Sequence, residues 1–407
     1  MSKAITTAYV FAQSPSGIHE LAGTLSHNRT AGSFVYSQQW LEQSWAYPLD
    51  PVNLKLQHDA IITTNANKVY PVFSDAGPDD WGTKVLLAGH TRLPANETER
   101  LLATSGHGVG CLRFSLSRSR PKEPHPPPSL NLLHELEDAS QKIANNQTVD
   151  PALLALLIPA TSMGGARPKI TLRENDKDYI AKFSKPGDMI NVPRVEYATM
   201  LLAKQCGIDI PDISLQTLGD RDAFIIERFD RYEKRQLHYI SAHSLFNRDR
   251  VRIYDDAYAD PCSYIALSKI LRTHARDWNN TAKQLFRRIV FNVYIGNIDD
   301  HGRNHGCLYD PANPGWQLSA AFDIVPTVSQ GREHALGIGR FGRQRSLENV
   351  MSAAEGFGLS GDEARGIINE VVGVANGWRS LFRDSGLENS DILLIDRVAG
   401  IYTDIEI

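Results

Sequence analysis

The segment PKEPHPPPS at residues 121–129 constrains the fold most strongly, because five of its nine residues are proline. Proline fixes φ and has no backbone N–H, so this run cannot enter a helix interior or a sheet ladder and favours extended backbone. It predicts a stiff connector over residues 118–129. The chain of 407 residues is therefore expected to consist of a small N-terminal subdomain, residues 1–117, and a larger region, residues 130–407.

Hydrophobic periodicity and turn residues predict mixed secondary structure on both sides of the connector. Residues 1–117 contain short alternating stretches, at 8–11 and 33–36, that predict strands, and a helix is expected over 81–88. In the larger region we expect strands at 178–184, 213–218, 222–229, 306–309 and 316–322, and helices from Pro151, over 195–206 and over 281–295. This region thus has a β-rich part, about residues 150–235, and a mostly helical part, about residues 236–407. The predicted fold class is α+β.

The composition is that of an ordinary globular protein, with 42% hydrophobic and 22% charged residues. A formal net charge of −4 argues against a protein that binds nucleic acid through bulk positive charge. The four cysteines lack C-x-x-C spacing, and no signal-peptide core or membrane-spanning apolar run is found. We therefore expect a cytoplasmic protein with reduced thiols and no membrane association.

The stretch GNIDDHGRN at residues 296–304, which follows a predicted amphipathic helix, carries the strongest chemical signal. Phosphoryl transfer needs a carboxylate that orients or deprotonates the attacking hydroxyl, and oxygen ligands for magnesium. Asp299 and Asn304 are five residues apart and can supply both groups from one loop. A second metal carboxylate, Asp323, follows a strand-like stretch farther along the chain. The pattern predicts a kinase-type catalytic site.

Simpler interpretations of these residues remain open. Asp299 could be an ordinary turn residue, since Asp, Asn and Gly favour turns. His301 and His305 are four apart and could bind zinc, although Gly302 disfavours the helix that such spacing needs. The literal G-x-G-x-x-G match GIGRFG, at residues 337–342, lacks a surrounding βαβ unit, so we interpret it as a turn.

A second motif, SMGGARPK at residues 162–169, combines paired glycines with a terminal lysine. Such a loop lets backbone N–H groups approach phosphates, although it lacks the Walker A spacing and could also be a surface turn. Lys182 follows in a predicted strand, where a kinase holds the lysine that contacts the α- and β-phosphates. Glu196, in the next predicted helix, could hold that lysine in place.

Together these motifs resemble the HipA family of serine/threonine kinase toxins from bacterial type II toxin–antitoxin systems, and the resemblance covers most of the chain. The similar stretches are PDDWGTKVL (78–86) in the N-terminal subdomain, SMGGARPK in the phosphate loop, DYIAKF in the lysine strand, FIIERFDR (224–231) in the hinge segment, and DDHGRN and FDIVP in the catalytic and metal-binding motifs. The resemblance implies a bilobal protein-kinase-like fold, with a β-rich N-lobe and a mostly helical C-lobe, preceded by a small β-rich subdomain.

The resemblance also implies residue roles, with ATP and Mg²⁺ as cofactors. Asp299 would be the catalytic base, and Asn304 and Asp323 would hold Mg²⁺. The residues expected at the nucleotide are Gly164, Gly165, Ala166, Arg167, Pro168, Lys169, Lys182, Glu227, Arg228, Phe229, His301, Gly302, Arg303, Asn304, Phe322 and Asp323. Ser162 matches a serine that family members autophosphorylate, and a phosphate there would compete with ATP for the N–H groups of the loop. Its alternative role is to cap a turn.

The sequence departs from the family pattern at a few of these positions. Arg303 stands where lysine is common, and Asp300 where a small or polar residue often sits. Arg167-Pro168 replaces a Gln-Glu pair, and the proline stiffens the loop that contains Ser162.

The partners implied by the resemblance are a small helix-turn-helix antitoxin similar to HipB and operator DNA, reached mainly through that antitoxin. The implied substrate is a translation component such as an aminoacyl-tRNA synthetase, whose phosphorylation causes growth arrest or persistence. Two other functions stay open. A kinase-like scaffold without catalysis is disfavoured because the lysine, base, Asn and metal Asp are all present. A small-molecule kinase is disfavoured because it would not need the N-terminal subdomain.

Overall fold

The computed structural model describes residues 4–89, 92–104, 106–160, 165–233, 235–247, 256–329, 331 and 333–399. Ser162 and Gly164, for which the resemblance implies roles, lie outside these residues. The described chain combines helices with several separate sheets, which confirms the predicted α+β class. Among the described residues, no helix is both long and apolar enough to cross a membrane.

The region before the connector is organised around one antiparallel sheet. Its strands and helices are β1 (Thr7–Gln13), β2 (His19–His27), β3 (Gly32–Tyr36), β4 (Ile61–Thr63), β5 (Arg113–Ser115), α1 (Gln38–Leu41), α2 (Pro71–Asp75), α3 (Asp80–Gly89) and α4 (Glu97–Leu102). The sheet has the order β4-β3-β2-β1-β5 and covers a core in which the buried Phe34 contacts Tyr36 and Phe73. The predicted strands at 8–11 and 33–36 and the predicted helix at 81–88 are confirmed.

The connector contains no helix or strand over residues 118–128, all of which the structure describes, as its prolines predict. Its end is fixed to the following sheet, because Arg173 N donates to Pro128 O at 2.9 Å. Two helices come next, α5 (Leu133–Ala144) and α6 (Pro151–Ala160), the second of which begins at the predicted proline.

Strands dominate the next part of the chain. They are β6 (Lys169–Glu174), β7 (Lys177–Phe183), β8 (Ile213–Leu218), β9 (Arg221–Glu227), β10 (Arg231–Tyr232), β11 (Arg235–Gln236) and β12 (His238–Ser241), with the single long helix α7 (Val192–Gln205) between β7 and β8. The first four strands form a sheet of order β6-β7-β9-β8, and β10 pairs with β11. Helix α7 ends before Gly207, which adopts the left-handed conformation expected of a residue that follows a helix.

The remaining chain is mostly helical, as its periodicity predicts. The elements are α8 (Ala242–Phe246), α9 (Tyr264–His274), α10 (Trp278–Ile295), β13 (Gly306–Asp310), β14 (Asn313–Leu318), α11 (Leu347–Ser352), α12 (Gly361–Ala375), α13 (Trp378–Asp384) and α14 (Asn389–Ala399). Strands β12, β13 and β14 form a three-stranded sheet. The strand predicted at 316–322 is displaced, because β14 starts at Asn313 and residues 319–322 lie beyond its end.

The chain divides into two compact units, each built from three segments. One unit comprises Met1–Pro186, Ile225–Asp249 and Cys307–Gly315, and the other comprises Gly187–Phe224, Arg250–Gly306 and Trp316–Ile407. In the second unit α10 is the central helix: twelve of its eighteen residues are buried, including Phe286, which packs edge-on against Phe357.

Candidate active site

The loop that contains Asp299 begins where α10 stops. Gly296 closes the helix in the left-handed conformation, with its N–H donating to Asn292 O, and the chain then enters a loop that includes a short 3₁₀ turn, Gly302–Asn304. Asp299 is exposed, whereas Asn304 is buried. Asn304 Nδ2 donates to the backbone carbonyl of Asp299 at 3.4 Å, so the two residues that the sequence pairs are adjacent in the structure.

The neighbouring Asp300 fixes this loop from inside the protein. Its Oδ2 accepts hydrogen bonds from Tyr264 Oη, from Asn292 Nδ2 at 2.6 Å and from His305 Nε2 at 3.0 Å. Burial alone would raise the pKa of Asp300, but the electrostatic interaction with His305 and the hydrogen bonds from His305 and Tyr264 outweigh burial and lower it. Consecutive carboxylates thus differ in environment: Asp300 anchors the loop and Asp299 faces solvent.

The same contacts bear on the hypothesis that His301 and His305 bind zinc. His305 is committed to Asp300 and packs edge-on against Tyr264. Across the described residues, no group of three or more His, Cys, Asp or Glu side chains is arranged to hold a metal ion. The structure thus gives His305 a role in fixing the loop through Asp300.

Asp323 lies in a short extended segment that follows β14. The segment is held by hydrogen bonds of Ser319 N to Gly306 O at 2.8 Å and of Ala321 N to Asp209 O at 2.7 Å. Asp323 is exposed and has φ of 59°, a conformation that few residues other than glycine adopt. Backbone strain of this kind is concentrated at functional sites.

Asn304 and Asp323 have the chemistry that Mg²⁺ prefers, because both offer oxygen ligands. The hydrogen bond of Asn304 to Asp299 uses the amide nitrogen, so its carbonyl oxygen is the atom suited to a metal. Mg²⁺ usually binds one or two protein groups and completes its shell with substrate phosphates and water. The residues present therefore fit the ion that the resemblance implies.

The chain beyond Asp323 returns to the Asp299 loop. Thr327 N donates to Gly296 O and Ala335 N to Ile298 O, both at 2.9 Å. Between these two connections lies a cleft of about 380 Å³, lined in part by Ile298, Asp299, Thr327, Ser329, His334 and Arg343. No local sequence pattern marks this cleft, because its lining comes from two stretches that are distant in the chain, residues 298–299 and residues 327–343.

The phosphate loop is described from Gly165 onward. Gly165 and Ala166 are exposed, Arg167 is half-buried, and Pro168 is buried. Trp81 Nε1 donates to Lys169 O at 2.8 Å, which joins the loop to the PDDWG stretch of the N-terminal subdomain.

Lys169 is less available to a nucleotide than the sequence predicts. It is buried, and its Nζ lies 2.9 Å from Asp79 Oδ2. Burial raises the pKa of the Asp79 carboxyl, and the pairing with Lys169 offsets this only in part. Lys182 is directly opposite Lys169 in the antiparallel pair β6–β7, so the two predicted phosphate lysines are neighbours in this sheet.

The predicted hinge residues follow the end of β9. Glu227 pairs with Lys177 of β7 at 2.8 Å, and Phe229 packs against a buried cluster of Val109, Leu237, Tyr239 and Leu308. The Arg228 side chain is completely buried and therefore cannot contact a nucleotide that occupies a solvent-accessible cleft, although its backbone can.

Arg228 instead joins the hinge to the N-terminal subdomain. Its guanidinium donates to His107 O and Gly108 O, both at 2.8 Å, and forms a two-point ion pair with Asp230. Asp230 Oδ2 also accepts from Gly110 N and from Arg231. Burial alone would raise the pKa of Asp230, but Arg228 and Arg231 lower it to about 2.

The remaining predicted residues are distributed around the Asp299 loop. Gly302 is buried, His301 and Phe322 are half-buried, and Arg303 is exposed. The GIGRFG stretch is a turn: Gly342 N donates to Gly339 O at 3.0 Å, and the loop is fastened to Asn349.

Comparison with known proteins identifies the family to which this architecture belongs. A model of the HipA-like C-terminal domain matches residues 161–378, and a model of the HipA N-terminal domain matches residues 18–115. The chain belongs to the HipA-like family. The first model includes the Asp299 loop and Asp323, and the second includes Asp79 and Trp81, so both parts of the chain carry family motifs.

Individual proteins that are similar to this chain include members of the same family. The chain is 24% identical over 336 residues to the serine/threonine-protein kinase toxin HipA of Shewanella oneidensis, covering 75% of this chain and 72% of that protein. Over 183 residues it is 30% identical to a protein of Haemophilus influenzae that is named as a kinase by inference. The matched residues make up 40% of this chain and 52% of that protein. The structure of HipA in the Shewanella oneidensis HipA, HipB and operator DNA complex matches with a TM-score of 0.70 at 18% identity, covering 97% of this chain and 96% of that one. This match confirms the HipA-type fold.

Proposed function

We propose that this protein is a serine/threonine protein kinase toxin of the HipA type that transfers the γ-phosphate of ATP to a protein hydroxyl. The observation that carries the proposal is the pair of adjacent carboxylates, in which buried Asp300 holds the loop and exposed Asp299 faces solvent. A general base must be fixed in position and yet reach its substrate, and this arrangement provides both properties.

In the proposed reaction Asp299 accepts the proton of the acceptor hydroxyl while the hydroxyl oxygen forms a bond to the γ-phosphorus. The bond from that phosphorus to the β,γ-bridging oxygen breaks, and ADP leaves. Asn304 and Asp323 would hold Mg²⁺, which neutralises phosphate charge when it is bound. Gly165–Lys169, Lys182 and the backbone of Glu227–Phe229 would bind the nucleotide.

The family also supports proposals about partners and regulation. We propose that a HipB-like helix-turn-helix antitoxin binds this chain and connects it to operator DNA, as in the complex of the Shewanella oneidensis protein. The acceptor would be a translation component such as an aminoacyl-tRNA synthetase. Phosphorylation of Ser162 would weaken ATP binding, and a Ser162→Asp variant with full ATP affinity and undiminished toxicity would contradict this role.

The central test is incubation of purified protein with γ-labelled ATP and a whole-cell lysate, with Asp299→Asn as the matched control. We expect labelled protein with the wild type and none above background with the variant. Label only in metabolites would identify a small-molecule kinase instead. Nucleotide binding without any transferred label would identify a scaffold, and no nucleotide binding would contradict the proposed site altogether.

A further inference from the structure

The start of helix α3, in the N-terminal subdomain, contacts the phosphate loop at both ends of its described part. Trp81 Nε1 donates to Lys169 O at 2.8 Å, and Trp81 N donates to Gly165 O at 3.4 Å. The Trp81 side chain is buried, so its indole N–H is shielded from water. A buried donor that loses its acceptor costs free energy, and this cost favours the arrangement in which the loop stays on Trp81.

Asp79 strengthens the same connection with both of its carboxylate oxygens. Oδ1 accepts from Gly82 N at 2.6 Å, as a residue that caps a helix does, and Oδ2 lies 2.9 Å from Lys169 Nζ. The Lys169 ammonium in turn packs against Gly165, because a Cβ atom at position 165 would lie only 2.7 Å from Nζ. One short segment, residues 79–82, therefore fixes the loop through residues 165 and 169.

The direction of the loop carbonyls bears on phosphate binding. In a planar trans peptide the C=O of one residue and the N–H of the next point in opposite directions. Because Gly165 O points towards Trp81, the N–H of Ala166 points away from it, and both loop residues are exposed. Exposed backbone N–H groups in such a loop are the donors that bind phosphate. The contact with Trp81 thus leaves the donor side of this peptide open to a ligand.

We infer that Trp81 is a positioning residue for ATP, because its hydrogen bonds to Gly165 O and Lys169 O hold the phosphate loop in the arrangement that binds the triphosphate. The inference rests on the proposed kinase function, and it assigns part of the nucleotide site to the N-terminal subdomain. Trp81 itself contacts neither ATP nor the acceptor. Losing its indole hydrogen bond lowers the fraction of molecules whose loop is ready for ATP, and the apparent Kd rises by the same factor.

The test compares ATP with adenosine, which lacks phosphates and cannot engage the loop through them. Trp81→Phe removes the indole N–H and retains an aromatic ring. We expect its Kd for ATP with Mg²⁺ to rise about fivefold, the effect of one neutral hydrogen bond, while its Kd for adenosine stays that of the wild type. KM for ATP should rise likewise, with kcat at saturating ATP unchanged. Isothermal titration calorimetry and labelled-ATP transfer provide these values.

Trp40→Phe is the matched control. Trp40 is also buried in the N-terminal subdomain, and its indole donates to a backbone carbonyl, Tyr47 O at 3.2 Å, which is not among the residues expected at the nucleotide. This variant should lose thermal stability as Trp81→Phe does and keep the wild-type Kd for both ligands. A merely structural role of Trp81 would make the two variants behave alike.

A second variant decides the question if Trp81→Phe does not fold. Gly165→Ala places a methyl group against Lys169 Nζ at φ of 122°, and because the residue is exposed the rest of the fold should be retained. We expect at least a fivefold loss of ATP affinity and none of adenosine affinity. Gly187→Ala, at an exposed glycine with φ of 86° and open space around it, is the control and should bind ATP like the wild type.

The outcomes separate the inference from the proposed function. If the wild type binds ATP and folded Trp81→Phe binds it equally well or more tightly, or loses affinity for ATP and adenosine equally, the inference is wrong while the kinase function stands. The same results with Gly165→Ala have the same meaning where Trp81→Phe does not fold. If the wild type neither binds ATP nor transfers phosphate, the proposed function is overturned and the inference with it.

Discussion

Lys169 and Lys182 lie directly opposite each other in the antiparallel pair of β6 and β7. Side chains at opposite positions project from the same face with Cβ atoms about 4.5–5.5 Å apart, so their two positive charges repel. Asp79, supplied by the N-terminal subdomain, pairs with Lys169 at 2.9 Å and balances one of those charges. The subdomain therefore contributes a negative charge to the strand pair that we expect to face ATP.

Removing the charge of Asp79 should destabilise the protein. Asp79→Asn removes the carboxylate that pairs with the buried Lys169 ammonium, and we expect the free energy of unfolding to fall by about 3 kcal/mol. Urea unfolding at pH 7 measures the change. Asp80→Asn, at the exposed neighbouring residue, is the matched control and should change stability by less than about 1 kcal/mol. Equal losses in the two variants would contradict a structural role for the ion pair.

The two aspartates of the Asp299 loop should respond differently to the same substitution. Asp299→Asn should abolish phosphate transfer without lowering the unfolding temperature, because the side chain is exposed. Asp300→Asn should lower the free energy of unfolding by about 1–3 kcal/mol, since Tyr264, Asn292 and His305 lose a shared charged acceptor. Calorimetry and labelled-ATP transfer on both variants check this. A similar loss of stability in both would show that the two roles are not separate.

The contrast between Asp299 and Asp300 shows which features of this loop can be predicted from the sequence. The pattern D-x-x-x-x-N predicts the loop, the helix before it and the proximity of Asp299 to Asn304, because these depend on neighbours in the chain. It does not distinguish the exposed from the buried aspartate, since the partners of Asp300 include Tyr264, thirty-six residues away. At the sequence level Asp300 is only a departure from the family pattern.

Stability should depend on pH through Asp230. Its pKa in the folded protein is about 2, below the ordinary value of about 3.9 for an unfolded chain, so its contribution is present above the unfolded pKa and is lost as pH falls. We expect the wild type to exceed Asp230→Asn by about 2–3 kcal/mol or more above pH 5, and by clearly less at pH 3. Urea unfolding at both pH values provides the measurement. A difference that does not shrink on acidification would contradict the low pKa.

Substitutions of Asp323 should separate metal binding from backbone strain. Asn tolerates the left-handed conformation, so Asp323→Asn should keep the stability of the wild type and lose the Mg²⁺-dependent thermal shift that we expect with ATP. Asp323→Ala should lose the same shift and in addition about 1 kcal/mol of stability, because alanine is strained at φ of 59°. A thermal shift that persists in Asp323→Asn would remove this residue from the metal site.

The parts of the site that the sequence did not predict share a physical cause. The pairing of Lys169 with Asp79 spans ninety residues. The segment that contains Thr327 and Ala335 is joined to the Asp299 loop by hydrogen bonds to Gly296 and Ile298. Local patterns fix helices, strands and turns, whereas these contacts depend on which elements pack together. Arg228 illustrates the same limit, since the hinge motif predicts its location but not the burial of its side chain among the carbonyls of residues 107 and 108.

The interleaved order of the two compact units has a consequence for how the protein is made. The first unit is completed only by Cys307–Gly315, which supplies Tyr309 to stack on Tyr47 and Asp310 to pair with Arg235. During synthesis, domains usually fold from the N-terminus as the chain emerges. Here folding of the first unit cannot finish until roughly three-quarters of the chain has been translated. A nascent chain released before that point lacks both a finished first unit and the aspartate at position 323. A truncated product therefore lacks part of the proposed phosphate-transfer centre.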